Sequence, residues 1–403
     1  MELQYDRDLA GKPGSSIAER DTGGSAIAFS PQLFEAPVDG AAVTLTIDRY
    51  VQWVAERELA AAVRDHHARG GTVVILNPND GALLAAASLP TLAPDDSNLY
   101  SPREVALYGI PAVSRAAEPG SIFNVFTVAA ALASGSVTPD SAFNYVGSLT
   151  YVGTTITDTR SFAPGPMTVL QSLAFSSNVG VSWIGTTVGP YRYYQSLSSL
   201  QLGHPTGVDL PGEVGGLLRV PTDLDWSATD LAVNSFGQGV TVTPIQLATA
   251  VAALAHGGTP STPYVMRRVG GPTSGRAIKP NGLPAAMKPA AASALTAMLQ
   301  TIVDDDTTTE GRLARVAGYA LAGKAGSAGT SDALSPGQQS SLATFIGYGP
   351  VERPRFAIVV QIDASTDGVP ADEVTSPVFA AIARQLLSYY QIAPSRAVAG
   401  NGR

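Results

Sequence analysis

Residues 71–88 read GTVVILNPNDGALLAAAS. Two short apolar runs flank an Asp-Gly pair, the pattern of a β-hairpin with a tight turn. Three more strand-like runs lie far downstream, YALAGKAGSAG (319–329), LATFIGYGP (342–350) and RFAIVVQIDAS (355–365). They are spaced as antiparallel neighbours. A sheet drawing strands from both ends of a chain must hold everything between them as an insertion. That stretch, about 121–255, is mainly helical in pattern and broken by Gly- and Pro-rich loops such as SFAPGPM and VDLPGEVGG. The expected fold is α/β (α+β), with an antiparallel five-stranded sheet flanked by helices and a mainly helical lobe. A cleft between lobe and sheet is a common place for a site.

Smaller signals fill in the frame. VTLTID (43–48) reads as a short strand ending at Asp48, a helix N-cap. The following helical pattern is expected to stop at Gly70–Gly71. PVFAAIARQLLSYYQ (377–391) reads as a closing amphipathic helix, and APSRAVAGNGR (393–403) as a frayed tail. Residues 1–40 alternate polar and small residues with Gly and Pro, as a linker or the tail of another module does.

Composition closes several options. With 45% hydrophobic and 14% charged residues, the 403-residue chain can bury a large core. A net charge of -8 without a basic run argues against a nucleic-acid partner. The absence of cysteine excludes disulfides and thiolate metal sites. The four histidines, His66, His67, His204 and His256, are scattered, so no metal or cofactor is expected. The most apolar run, 245–254, falls short of a membrane span, and the polar start MELQYDRDL is no signal peptide. Any membrane anchor is expected upstream of this chain.

Three motifs carry the chemistry. EPGSIFNVFT (118–127) places Ser121 at a helix entrance. Free N–H groups and the helix dipole there favour an oxyanion, although an N-cap is the ordinary role of such a serine. FSSNVG (175–180) contains Ser176 and Asn178, and GKAGSAG (323–329) puts Lys324 on a strand. Their order and separation resemble the Ser-x-x-Lys, Ser-x-Asn and Lys-Thr-Gly set of penicillin-binding-protein transpeptidase domains. Other stretches resemble the class B members of that family: AVSRAAEPGSIFNVFT, GVDLPGE, NSFGQGVTVTPIQLA and GYGPVERPRFAIVVQID.

The resemblance implies a transpeptidase domain over 41–392, joined by 1–40 to an N-terminal pedestal region and followed by a flexible tail at 393–403. It implies that Ser121 is acylated by a D-Ala-D-Ala stem peptide or a β-lactam. Ser176 and Asn178 would relay protons and hold the substrate amide, and Lys324 would draw its carboxylate. The N–H groups of Ser121 and Ser327 would form the oxyanion hole. The strand edge at Gly326, Ser327 and Ala328 would pair with the substrate backbone. Peptidoglycan and other wall-synthesis proteins would be the partners, on the outer face of the bacterial cell membrane.

Departures from the family pattern matter as much. Asn124 stands where the family has its second lysine. A lysine there can serve as general base; an amide cannot. Impaired catalysis is therefore expected, against two alternatives: an active serine D,D-transpeptidase with a substitute base, and a β-lactam-binding sensor or hydrolase. Ala325 replaces the usual hydroxyl residue, so natural divergence accounts for Asn124 better than a single introduced change. DDDTTTEGRLA (304–314) replaces a Gly-Thr-Gly segment and reads as a surface difference, its three aspartates solvated. Ser121 and Lys324 are expected to meet in one cleft, with Asn178 on its rim.

Overall fold

The computed structural model describes residues 2–25, 27, 32–91, 109–270, 275–278, 280–308, 310–331, 339–365 and 369–396. Helix α1 (Glu2–Leu9) is followed by an antiparallel pair, β1 (Ser15–Ala18) and β2 (Gln32–Glu35), with Ser15 opposite Glu35. After β3 (Val43–Leu45), the Asp48 carboxylate caps α2 (Arg49–Asp65), accepting from the N–H groups of Tyr50 and Val51. Helix α2 stops at His66, short of the expected glycine stop. Gly70 and Gly71 instead open strand β4 (Gly70–Leu76). A Cβ at Gly70 would sit 2.3 Å from the Leu89 carbonyl, and one at Gly71 2.6 Å from the Gln361 carbonyl. These glycines serve the close approach of strands. Strand β5 (Leu83–Leu89) returns through the expected turn, where Gly81 takes φ +77 and its N–H donates to the Asn77 carbonyl.

The lobe begins with α3 (Pro111–Ser114), a 3₁₀ turn at Gly120–Phe123 and α4 (Asn124–Ser134). Two β-ribbons that periodicity does not reveal come next. Strand β6 (Ala142–Tyr145) pairs with β9 (Gly165–Thr168), enclosing the pair β7 (Ser148–Tyr151) and β8 (Thr154–Thr157). Helices α5 (Val169–Ala174), α6 (Asn178–Val188), α7 (Pro190–Ser199), α8 (Ala228–Asn234) and α9 (Pro244–Ala255) complete the lobe. The apolar run 245–254 lies in α9 and is buried throughout, as a core helix is. No helix among the described residues is long and apolar enough to cross a membrane.

The chain then forms β10 (Met266–Val269), β11 (Arg276–Ala277), α10 (Pro289–Asp304), β12 (Ala322–Ser331), β13 (Gln339–Gly349), β14 (Phe356–Ser365) and α11 (Ala371–Tyr389). The main sheet has five antiparallel strands in the order β12-β13-β14-β4-β5, joining both ends of the chain. Helices α2 and α11 pack on each other and on the sheet, while α9 packs on β4, β13 and β14. Every residue of β4 is buried, as in a strand covered on both faces. Strand β3 is not part of this sheet; it pairs with β10 in a three-stranded sheet with β11.

Two compact units result. One contains 1–46, 209–211 and 264–279, and the other contains 47–208, 212–263 and 280–403. In the first, Asp209 of the GVDLPGE motif accepts from the Tyr5 hydroxyl and from the N–H groups of Val265 and Met266. The segment read as a linker thus carries a helix and a strand pair. The aspartate run is only partly solvated: Asp304 pairs with Arg396 at 2.8 Å and Asp306 with Arg315 at 2.9 Å. Lys279 and the tail beyond 396 lie outside the described residues.

Candidate active site

Ser121 sits in the 3₁₀ turn that feeds α4, at the edge of a cleft in the larger unit. Three glycines make its position possible. Gly120 has φ +56, and a Cβ there would lie 2.1 Å from the Ser327 carbonyl. Gly237 has φ +80, and its Cβ would lie 2.1 Å from the Gly120 carbonyl. A Cβ on Gly326 would meet the Ser121 Oγ at 2.6 Å. The serine turn is therefore wedged between the 236–239 loop and strand β12, with no room for side chains. Glu118 steadies the loop, its Oε1 accepting from the Gly239 N–H at 2.9 Å.

Strand β12 is an edge of the sheet, so one side of its backbone faces the cleft. Ser327 is exposed there, and Gly326 and Ala328 are buried beside the Ser121 turn. Ser121, Ser176, Asn178, Ser327 and Ala328 line a single cavity of about 220 Å³. That is narrower than the ~300–1,000 Å³ of typical small-molecule sites. Phe162 and Phe175, stacked at 5.8 Å, form an apolar part of the wall.

Ser176 takes a left-handed conformation, φ +54, just before α6. Such a backbone in a non-glycine residue is uncommon and points to a constrained site. Ser177 caps α6 and donates to Asp158 Oδ2 at 2.8 Å; Asp158 Oδ1 also accepts from the Val179 N–H at 3.0 Å. Asn178 Nδ2 donates to the Thr157 carbonyl at 3.3 Å.

Lys324 does not open onto the cleft. It is fully buried behind the wall, and its Nζ donates to Ser176 Oγ at 2.5 Å, Ala325 O at 2.8 Å and Glu310 Oε2 at 3.0 Å. An ammonium has three N–H bonds and no lone pair. Three acceptors around Nζ match these three donors. Ser176 and Glu310, which both line the cleft with Ser121, thus link Lys324 to the cavity.

Asn124 is fully buried, and neither its Oδ1 nor its Nδ2 has a hydrogen-bond partner among the described residues. Its backbone N–H donates to the Ser121 carbonyl, but among the described residues no hydrogen bond joins its side chain to Ser121. An amide left unsatisfied in a core costs about 1–3 kcal/mol. It has no proton to exchange near neutral pH.

Sequence reasoning missed Glu310, Arg160 and Asp158, which also line the cleft. Glu310 is only 7% exposed and pairs with Arg160 at 3.5 Å as well as with Lys324. It lies within DDDTTTEGRLA, so the departure from Gly-Thr-Gly was the available signal. Nothing local to that stretch says that its carboxylate turns inward. Among the described residues no group of three or more His, Cys, Asp or Glu could hold a metal ion.

Residues 71–388 match the family model of the penicillin binding protein transpeptidase domain. The chain belongs to the penicillin-binding transpeptidase family. It is 31% identical to penicillin-binding protein PbpB of Mycolicibacterium smegmatis, over 97% of this chain and 61% of that protein. It is 30% identical to stage V sporulation protein D of Bacillus subtilis, over 98% of this chain and 61% of that protein. It therefore spans about three-fifths of these relatives. Among solved structures, penicillin binding protein 3 of Mycobacterium tuberculosis, complexed with aztreonam, superimposes with a TM-score of 0.81 at 26% identity. That match covers 99% of this chain and 92% of the other. The family resemblance carried by the motifs, and the fold expected from it, both hold.

Proposed function

We propose that this chain is the transpeptidase domain of a peptidoglycan-synthesis protein acting outside the cytoplasmic membrane. Its Ser121 cleft takes D-Ala-D-Ala stem peptides and β-lactams, and it transfers acyl groups slowly. The family supports the substrate class, and the aztreonam and ampicillin complexes of the M. tuberculosis protein support β-lactam binding.

The orphaned Asn124 carries the slow-transfer reading. In acylation, Ser121 Oγ attacks a carbonyl carbon, the C–N bond breaks, and the departing amine takes a proton. The proton leaving Ser121 needs an acceptor. Asn124 offers none, and the Lys324 amine is already engaged with three partners. General-base catalysis is typically worth ~10²–10⁴-fold, so its loss leaves a slow reaction. The 2.5 Å contact between Lys324 and Ser176 favours one rival, an active transpeptidase whose proton passes through Ser176.

Acylation by a fluorescent penicillin, with Ser121→Ala as the blank, separates these readings. Slow labelling that Asn124→Lys accelerates by ~10²–10⁴-fold supports the proposal. Labelling already as fast as that of Asn124→Lys supports the active rival. Release of hydrolysed drug indicates a hydrolase. No labelling of either form means that the cleft is closed to such substrates.

A further inference from the structure

We infer that Glu310 occupies, from within the chain, the place of a ligand's carboxylate, so that this cleft prefers ligands whose terminal carboxyl is an amide or ester. This rests on the reading of the Ser121 cleft as a stem-peptide and β-lactam site.

The family resemblance implies that the motif lysine, Lys324 in this chain, draws the substrate carboxylate. Here that lysine is already engaged. Lys324 is fully buried, and each of its three N–H bonds has an acceptor within 3.0 Å. One of these is Glu310 Oε2, a carboxylate supplied by the protein. An incoming carboxylate would have to displace it, because an ammonium has no fourth donor. Glu310 is anchored at its backbone. Its backbone carbonyl accepts from the Ala325 N–H at 2.5 Å, fastening the residue beside strand β12. Its other carboxylate oxygen lies 3.5 Å from Arg160, the guanidinium on the cleft wall. Glu310 thus holds the buried cation, while Arg160, its side chain 54% exposed, flanks it on the cleft wall.

The charges around the cleft point the same way. Arg160 and Lys324 are positive, while Glu118, Asp158 and Glu310 are negative, two against three. Glu118 accepts from a loop N–H, and Asp158 from the Val179 N–H and the Ser177 hydroxyl. Glu310 is the one of these three acids turned onto the lysine. A second carboxylate brought beside it meets like charge inside a narrow cavity, where water screens poorly. A neutral amide or ester meets no such penalty. The segment replacing Gly-Thr-Gly therefore places a specificity-determining residue in the site.

The test measures non-covalent binding by calorimetry, on the full chain carrying Ser121→Ala so that no acyl bond forms. Two ligand pairs are used: an acyl-D-Ala-D-Ala peptide and its C-terminal amide, and benzylpenicillin and its methyl ester. With Glu310 present, the amide and ester are expected to bind about 10-fold or more tightly than the acids. Adding Glu310→Gln should strengthen binding of the acids by about 10-fold and leave the amide and ester unchanged. Acids that bind as well as their neutral partners, or no gain on Glu310→Gln, overturn the inference while the site reading stands. If Glu310→Gln does not fold, the acid-to-amide ratio of the Glu310 protein decides alone. Failure of every ligand to bind, with Asn124→Lys also present, overturns the site reading and this inference with it.

Discussion

Asn124 shows how much one side chain can carry. Its neighbours in α4, Val125 to Leu132, are buried and mostly apolar, so the helix is a core element with one polar residue at its start that finds no partner. Removing both polar atoms while keeping the shape relieves an unmet hydrogen-bonding demand. Asn124→Leu is expected to raise unfolding stability by about 1–3 kcal/mol, read as a higher urea midpoint at unchanged slope. A lower midpoint would mean that the amide has a partner after all. Asn124→Lys should lower the midpoint even as it speeds acylation, because it places an ammonium at a fully buried position. A gain in rate with a loss in stability is the trade expected where catalysis needs a strained site.

At the scale of elements, the site is made by the meeting of a turn, a loop and an edge strand. The turn holds Ser121, the 236–239 loop supports Gly120, and β12 passes so close that Gly326 lies against the serine. Gly120→Ala adds a methyl 2.1 Å from the Ser327 carbonyl at a φ that alanine rarely adopts. The methyl must push β12 from the turn or pull Ser121 with it. Labelling of Ser121 should fall at least ~10²-fold, since misplacement of ~1 Å at a reacting centre costs about that much. Gly135→Ala is the contrast. It is also left-handed, at φ +70, but faces open space beyond α4, so it should cost stability without touching labelling. Equal effects of the two substitutions on labelling would show that close packing at Gly120 is not what places the serine.

Across the whole molecule, buried charge links the site to global stability. Asp372 lies in the first turn of α11, only 3% exposed. Burial pushes its carboxyl pKa up, and the nearby Glu310 charge adds to this. The Ser376 hydroxyl and Arg312 oppose the rise. The helix N-terminus also favours the charged form, but desolvation is the larger cause. A carboxyl with a raised pKa binds more protons folded than unfolded. Its contribution is full below the ordinary carboxylate value, ~4, and is lost as pH rises through the raised folded value. Asp372→Asn, neutral at every pH, should therefore melt higher than the original protein at pH 7, on the order of 1–3 °C. That gap should shrink as the pH falls toward 4. A gap that widens on acidification would mean that Asp372 is stabilised as an anion.

The sequence alone determined the five strands, the helical lobe between them and the three motifs. Each is encoded locally, in short apolar runs, an Asp-Gly turn and short fixed spacings. The same holds for Asn124, whose chemistry follows from its identity. Contacts across long separations belonged to the tertiary structure. Gly70–Gly71 looked like a helix stop and proved to be strand residues, because what crowds them is the backbone of Leu89 and Gln361. VTLTID read as a short strand without saying what it pairs with, and its partner is β10, more than 200 residues on. DDDTTTEGRLA looked like a solvated surface segment, while Glu310 within it faces Lys324 and Arg160. A charged residue reads as exposed until its partner is known, since only a partner makes burial of the charge tolerable. For Glu310 that partner is reached only when β12 folds beside it.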